Sequence, residues 1–188
     1  MSPRIFNQPL RILLGTNALV LIASAMFIPI YALYVEDIGG DLFDAGLTAA
    51  VYALVAGSLT IVSGRMTDRL KRKELMVIVG YVIVGIGFLL YTFANSLAVL
   101  IVIQAIIGFG TAVYAPAFDT LYSHNLHIRR TGLQWGAWEA MDYFATAAGA
   151  LLGGAIVTFL GFTAMFVLMS AFCLASATYI FFLPKKTL

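Results

Sequence analysis

The chain of 188 residues contains one cysteine and two histidines, and only 11% of its residues carry charge. With a single cysteine, Cys173, a disulfide framework is impossible. It sits among Phe172, Leu174 and Ala175 with no basic neighbour to lower its pKa, so it reads as a packing residue rather than a redox centre. The histidines, His124 and His127, form an H-x-x-H with no third ligand close in sequence, and a metal site is not expected. No phosphate-binding glycine loop and no channel-filter sequence is present. The stretch "IVSG" has Ile61 where an intramembrane serine protease needs glycine. Aromatic and basic residues do not interleave on a soluble face, which leaves nucleic-acid binding without support. The expectation is a non-enzymatic protein with no cofactor and no metal.

What the chain does have is hydrocarbon. Hydrophobic residues make up 62% of it, more apolar surface than a soluble domain of this length could hide. Lipid therefore surrounds most of the chain, and each backbone N–H and C=O must find its partner internally. The apolar runs are long and lack the alternation of a barrel strand, so the fold class is an all-α membrane protein. Six segments are long enough to cross a core of about 30 Å at 1.5 Å per residue. They are placed near Ile12–Val35, Ala45–Ser63, Leu75–Ala94, Leu97–Tyr122, Leu133–Leu160 and Phe162–Leu183. The first run, at about 24 residues, is too long for the core of a signal peptide and lacks a cleavage site, so it reads as an uncleaved span.

With those spans drawn, all eleven Lys and Arg residues fall on one side. Arg4 and Arg11 precede the first span, and Arg65, Arg69, Lys71, Arg72 and Lys73 follow the second. Arg129 and Arg130 follow the fourth, and Lys185 and Lys186 follow the sixth. Glu36, Asp37, Asp41 and Asp44 hold the opposite side without a cation. The positive-inside rule then puts both termini and both basic loops in the cytoplasm of a multi-pass protein of the plasma or inner membrane.

Nearly half of the cations sit in "GRMTDRLKRKEL", Gly64 to Leu75, a stretch with seven charges. Basic loops anchor topology and attract anionic lipid, at about 1 kcal/mol per cation near the surface. The order adds more. Gly64 ends the second span with no side chain, which allows backbones to approach. Asp68 and Arg72 are spaced i, i+4 and are expected to pair across a helical turn.

This stretch resembles the loop between the second and third helices of the major facilitator superfamily of secondary transporters, Gly-x-Leu-Ala-Asp-Arg-x-Gly-Arg-Arg/Lys. Gly64, Asp68, Arg69, Arg72 and Lys73 match, and Lys71 stands in place of the second glycine. "QAIIGFGTAVYAP" in the fourth span is similar to the family's Arg-x-x-x-Gly-x-Gly stretch, with Gln104 for the arginine. "GALLGGA" in the fifth is similar to the antiporter motif Gly-Pro-x-x-Gly-Gly: Gly149, Gly153 and Gly154 match, and Ala150 replaces proline. The resemblance covers essentially the whole chain. It implies one six-helix half of a twelve-span fold, built as a 3+3 inverted repeat. Residues 1–188 would form a single bundle, with 12–94 and 97–183 as the two three-helix repeats. The loop around Asp68 would brace a cytoplasmic gate. The glycine face of the fifth span would be set against the other half.

Three acids fall inside spans: Asp119, Glu139 and Asp142. Each costs about 2.5–3.5 kcal/mol near the bilayer centre on insertion scales, so such groups face a cavity or a partner. Counted from Leu133, Asp142 lies about 14 Å into its span. Glu139, Asp142, Thr146, Gly149 and Gly153 form one helical stripe. Span one has its own polar line, Asn17, Ser24 and Tyr31, and Pro116 is a potential kink in span four. Asp142, Glu139, Gln104, Asn17 and Asp119 are the candidate proton and substrate residues; hydrogen bonding to neighbouring helices is the plain alternative. Trp135, Trp138 and Tyr143 could stack on a compound, or both tryptophans could belong to the interfacial belt. No span interior holds Lys or Arg, which disfavours anionic substrates.

The reading is a half-size major-facilitator-like secondary transporter of a small lipophilic neutral or cationic compound, in exchange for protons. Its expected partners are membrane lipid and either a second copy or a separately encoded six-helix half. The alternative is a non-transporting accessory or assembly protein, or an inactive fragment. Lys71, Gln104 and Ala150, which depart from the family pattern, are the residues that keep it open.

Overall fold

A computed structural model describes residues 6–184, and all of the long elements in it are helices. Arg4, Lys185 and Lys186, three of the cations used for orientation, lie outside the described residues. The helices are α1 (Gln8–Phe27), α2 (Tyr31–Asp37), α3 (Leu42–Arg69), α4 (Glu74–Leu90), α5 (Leu97–His124) and α6 (Thr131–Phe181). Five segments are long and apolar enough to cross a membrane: Gln8–Asp37, Leu42–Arg69, Glu74–Phe93, Leu97–His124 and Thr131–Phe181. The chain is thus a multi-pass membrane protein.

Local sequence explains where these helices start and bend. Asn7 caps α1, its Oδ1 accepting from the Leu10 N–H at 2.9 Å, and its Nδ2 donates to the Asn125 carbonyl at 2.9 Å. One side chain therefore closes α1 and ties it to the end of α5. Asp41 and Asp44 form a reciprocal capping box at the start of α3, so two of the four acids at that end serve the helix terminus. Between α1 and α2 a 3-10 turn, Ile28–Ile30, contains Pro29, which has no N–H to donate and crowds the preceding turn. α5, by contrast, runs unbroken past Pro116.

α6 spans 51 residues, but Gly161 interrupts it with φ 81 and ψ 172. That backbone region is open essentially to glycine alone. The break coincides with the Leu160–Gly161 boundary expected from the sequence. Before it, the helix follows α1 in the same direction: Gly149 lies against Ile22 and Ala25, and Gly153 against Met26. After it, the chain turns back. Phe166 meets Phe27, with ring centroids 5.0 Å apart, and Ser176 Oγ donates to the Thr16 carbonyl at 2.9 Å.

α6 packs on α1 and α4, and α5 packs on α3 and α4, so α4 joins the two pairs. The glycine face of the 131–160 stretch is not left over for another half. Gly149 and Gly153 are consumed by α1 within the chain, because only a missing side chain lets two helices come this close. Gly154 has open space around it.

This contrast is testable. Gly153→Val would drive a methyl-bearing carbon into the Met26 backbone carbonyl, which cannot move aside, and should destabilise by about 3 kcal/mol, the upper end for overpacking. Gly154→Val should leave the midpoint unchanged. Thermal melts of both variants in mild detergent compare them; equal midpoints would remove the close approach as a stabilising contact.

Candidate functional site

A cavity of about 300 Å³ opens between α1, α3, α4 and α5. Its wall is aromatic: Phe27 and Tyr31 come from the α1–α2 arm, Tyr52 from α3, Phe88 and Tyr91 from α4 and the turn after it, and Tyr114 from α5. Ser24, Gln104 and Thr111 are its other polar residues, and none of the lining side chains is charged. Behind it the rings continue. Phe27 sits edge-on to Tyr31, Tyr34, Tyr91 and Phe166 at centroid distances of 5.1, 5.4, 4.9 and 5.0 Å. Tyr34 donates from its hydroxyl to the Tyr91 carbonyl at 2.7 Å, which fixes the arm beyond the 3-10 turn.

The polar part of the wall is a directed chain of hydrogen bonds. Gln104 Nε2 donates to the Tyr31 hydroxyl at 2.7 Å, and that hydroxyl meets Thr48 Oγ1 at 2.5 Å. Thr48 in turn donates to the Asp44 carbonyl at 2.8 Å. Since an amide N–H can only donate, Tyr31 passes its own proton toward Thr48, and the chain runs in one direction from Gln104 to Asp44. Gln104 Oε1 has no hydrogen bond among the described residues. The cavity therefore presents an unused acceptor beside a ring of π faces.

The five candidate residues separate in space. Gln104 lines the cavity. Asn17, 3% exposed, accepts from the Tyr81 hydroxyl at 3.0 Å, and the Tyr81 ring lies 4.9 Å from that of Tyr114, a cavity wall. Asn17 thus stands behind that wall rather than in it. Asp119 and Glu139 are exposed, Asp142 is half-buried, and none of the three lines the cavity. Asp119 shares α5 with Tyr114, a residue of the cavity wall. The stripe from Glu139 to Gly153 does not stay on one surface: its glycine end is buried on α1, and its acid end turns toward the outside.

The aromatic wall was not identified from the sequence, apart from Tyr31. Phe27, Tyr31 and Tyr34 are spaced i, i+4, i+7, and Phe88 and Tyr91 are spaced i, i+3, so a helical aromatic stripe was there to find. Trp135 and Trp138 also differ from a pure interfacial belt. Trp135 contacts Tyr122 at 5.1 Å and Trp138 at 6.0 Å, and both are partly buried against the core. The Trp138 indole N–H is buried without a partner among the described residues.

The charged stretch after the second span is built differently from expectation. α3 continues to Arg69, so Gly64, Arg65, Asp68 and Arg69 lie on a helix, and a Cβ at Gly64 would meet nothing within 4 Å among the described residues. Leu70 is extended, at φ −83 and ψ 134, and ends the helix before Arg72. Asp68 and Arg72 are consequently not on one helical face and do not pair. Arg72 Nε bonds Glu74 Oε1 at 2.8 Å, and Lys73 Nζ donates to the Leu70 carbonyl at 3.0 Å. Asp68 is exposed and makes no ion pair among the described residues.

Comparisons with known proteins point to one family. A family model described as Major Facilitator Superfamily matches residues 13–188. Among curated proteins, the chain is 25% identical over 168 residues to the multidrug resistance protein MdtG of Erwinia billingiae, covering 87% of this chain and 41% of that protein. It is 26% identical over 169 residues to the protein of the same name from Serratia proteamaculans, again covering 87% and 41%. For that of Klebsiella pneumoniae the identity is 23%, covering 87% and 40%. The chain therefore spans about two-fifths of the length of these relatives.

The hydrogen-bond chain makes a measurable prediction. Tyr31→Phe removes the acceptor of Gln104 and the donor to Thr48, and should lower stability by about 1–2 kcal/mol. In a double-mutant cycle with Gln104→Leu, unfolding in detergent should show a coupling of at least about 0.5 kcal/mol. Strict additivity would mean that the two side chains do not act through each other.

Proposed function

The chain belongs to the major facilitator superfamily, and from that premise we propose that it is one six-span half of a secondary transporter that moves small lipophilic neutral or cationic compounds in exchange for protons. The observation that carries the substrate class is the cavity: six aromatic rings, one free amide acceptor on Gln104 and no charged side chain. Such a wall suits a planar aromatic compound with an N–H or ammonium group, which gains stacking, cation–π attraction and one hydrogen bond. An anion would find no cationic side chain there to pair with. The multidrug resistance proteins it is similar to are consistent with this class.

In this reading Gly161 divides the last element into two spans, giving six. Both termini and the basic loops face the cytoplasm, and residues 12–94 and 97–183 form two three-helix repeats. Asp142, with Glu139 and Asp119, carries the coupling proton, and Tyr114 transmits its charge state to the cavity. A second six-span unit, whether another copy or a different polypeptide segment, covers the faces this half leaves open. Only 11% of the most apolar stretch of Leu42–Arg69 and 17% of that of Thr131–Phe181 are buried, with Ile61 66%, Leu151 77% and Phe159 82% exposed. Asp68 and Arg69, exposed and without an ion pair among the described residues at the end of α3, latch against that unit as the halves rock.

The test uses the full gene product in proteoliposomes, with a fluorescent planar aromatic cation and an imposed pH gradient. Gln104→Ala should reduce transport about tenfold, the equivalent of 1.4 kcal/mol of lost binding. Asp142→Asn should abolish gradient-driven movement while sparing exchange of compound for compound. Wild-type transport that ignores the pH gradient would sink proton exchange, and full activity in Gln104→Ala would move the substrate out of this cavity. If the full product transports nothing, the accessory reading takes its place. Asp68→Asn should slow transport at least several-fold while leaving the melting midpoint unchanged, because that side chain holds nothing within the half; an unchanged rate would remove the latch.

A further inference from the structure

A groove of about 590 Å³ runs between the first turns of α1 and the last turns of α6, and it shares no lining residue with the aromatic cavity. We propose that it is a binding site for one anionic phospholipid, with the phosphodiester at Arg11 and an acyl chain along Gly15 and Leu19. The inference does not depend on the transport reading.

The groove is graded along the helices as a lipid is. Ser176 and Thr16 are bonded to each other at 2.9 Å and mark one level. From Thr16 toward the start of α1, Arg11 lies about 7 Å away and Gln8 about 12 Å, at 1.5 Å per residue. Tyr179 lies on the same side, about 4 Å beyond Ser176. In the other direction the wall becomes apolar at Leu19. Polar atoms therefore gather at the membrane-surface end and hydrocarbon at the deep end, within a single depression.

Three features make the polar end a site rather than a chance surface. Arg11 is exposed and forms no ion pair among the described residues, so its charge is available. Its helical turn is held from two directions, because Asn7 both caps α1 and bonds Asn125. The floor at Gly15 is open, with nothing within 4 Å of where a Cβ would stand. A bidentate guanidinium matches a phosphodiester, and the open floor admits a methylene chain beside it. A zwitterionic lipid would bring an ammonium to a groove whose lining, among the described residues, includes no carboxylate.

The whole protein is placed in nanodiscs of equal phosphatidylglycerol and phosphatidylcholine, and the lipids it retains are counted by native mass spectrometry. One phosphatidylglycerol per chain should be held with about a fivefold preference, the factor that about 1 kcal/mol per surface cation corresponds to. Arg11→Gln should abolish the preference and Arg11→Lys should keep part of it. Gly15→Leu should expel the lipid although Arg11 remains, and Ala175→Leu, from the facing wall, serves as a second block, with melting curves confirming that each variant is folded. Preference retained in Arg11→Gln, or lipid retained in both blocked variants, would overturn the proposal. So would displacement by soluble glycerol phosphate at equal concentration, since that would show a site for free phosphate rather than for lipid.

Discussion

Helices surrounded by lipid gain nothing from hiding apolar faces from water, because none is there; what holds them together is close contact and the few hydrogen bonds that cross between them. The rest of this structure follows from that constraint. Where α6 meets α1, Gly149 and Gly153 let the backbones approach until the Met26 carbonyl occupies the space a side chain would fill. Elsewhere, single hydroxyls reach across to a neighbouring helix. Ser63 donates to the Ala112 carbonyl at 2.5 Å, Ser176 to Thr16 at 2.9 Å and Tyr34 to Tyr91 at 2.7 Å. The Thr16 and Tyr91 carbonyls lie within helical turns, whereas the Ala112 carbonyl lacks its usual donor because residue 116 is Pro116, and Ser63 takes that place. These bonds set the depth at which two helices sit against each other without disturbing either ladder.

The aromatic cavity depends on two such fixings and one break. Pro29 interrupts the first apolar segment, and the arm beyond it is re-secured by Tyr34 on Tyr91 and by Tyr31 on Thr48 and Gln104. Because Tyr31 is held by α3 and α5 together, its ring is fixed as part of the wall. The same bonds engage one N–H of the Gln104 amide and leave its acceptor over. The selectivity proposed for the cavity thus comes from its aromatic faces, that acceptor and a lining without charge.

Much of this was legible in the chain. Span positions could be read because hydrocarbon thickness sets a minimum length, and Leu160–Gly161 was readable because the run of apolar residues is far too long for one crossing. Gln104 and Asn17 stood out as polar residues in apolar runs, and both proved to be in or next to the cavity wall. The wall itself was not assembled from sequence, since its rings come from four helices whose relative rotation no single-helix periodicity reports. The Asp68–Arg72 pair failed for a local reason: spacing of i, i+4 brings side chains together only while the helix continues, and Leu70 ends it. The glycine face was expected to meet the other half, whereas Gly149 and Gly153 lie against α1 and Gly154 faces open space. A small-residue face announces close approach, and nothing in the sequence says to whom.

The placement of the acids carries the last step. Had Asp142 and Glu139 lined the cavity, a compound and a proton would compete for the same atoms, and exchange would follow from simple displacement. They stand outside it, and Tyr114 is a wall residue carried by α5. In the proposed exchange, coupling must then pass through a ring rather than through shared ligands. A charge appearing on Asp142 changes the field on the Tyr114 phenol, and that ring is one face of the wall a substrate touches. Such coupling is weaker than direct competition, and it tolerates substrates of different shape because no atom of the substrate needs to replace the proton. A site of aromatic faces with one hydrogen-bond acceptor fits that looseness, since stacking is insensitive to substituents in a way that paired charges are not.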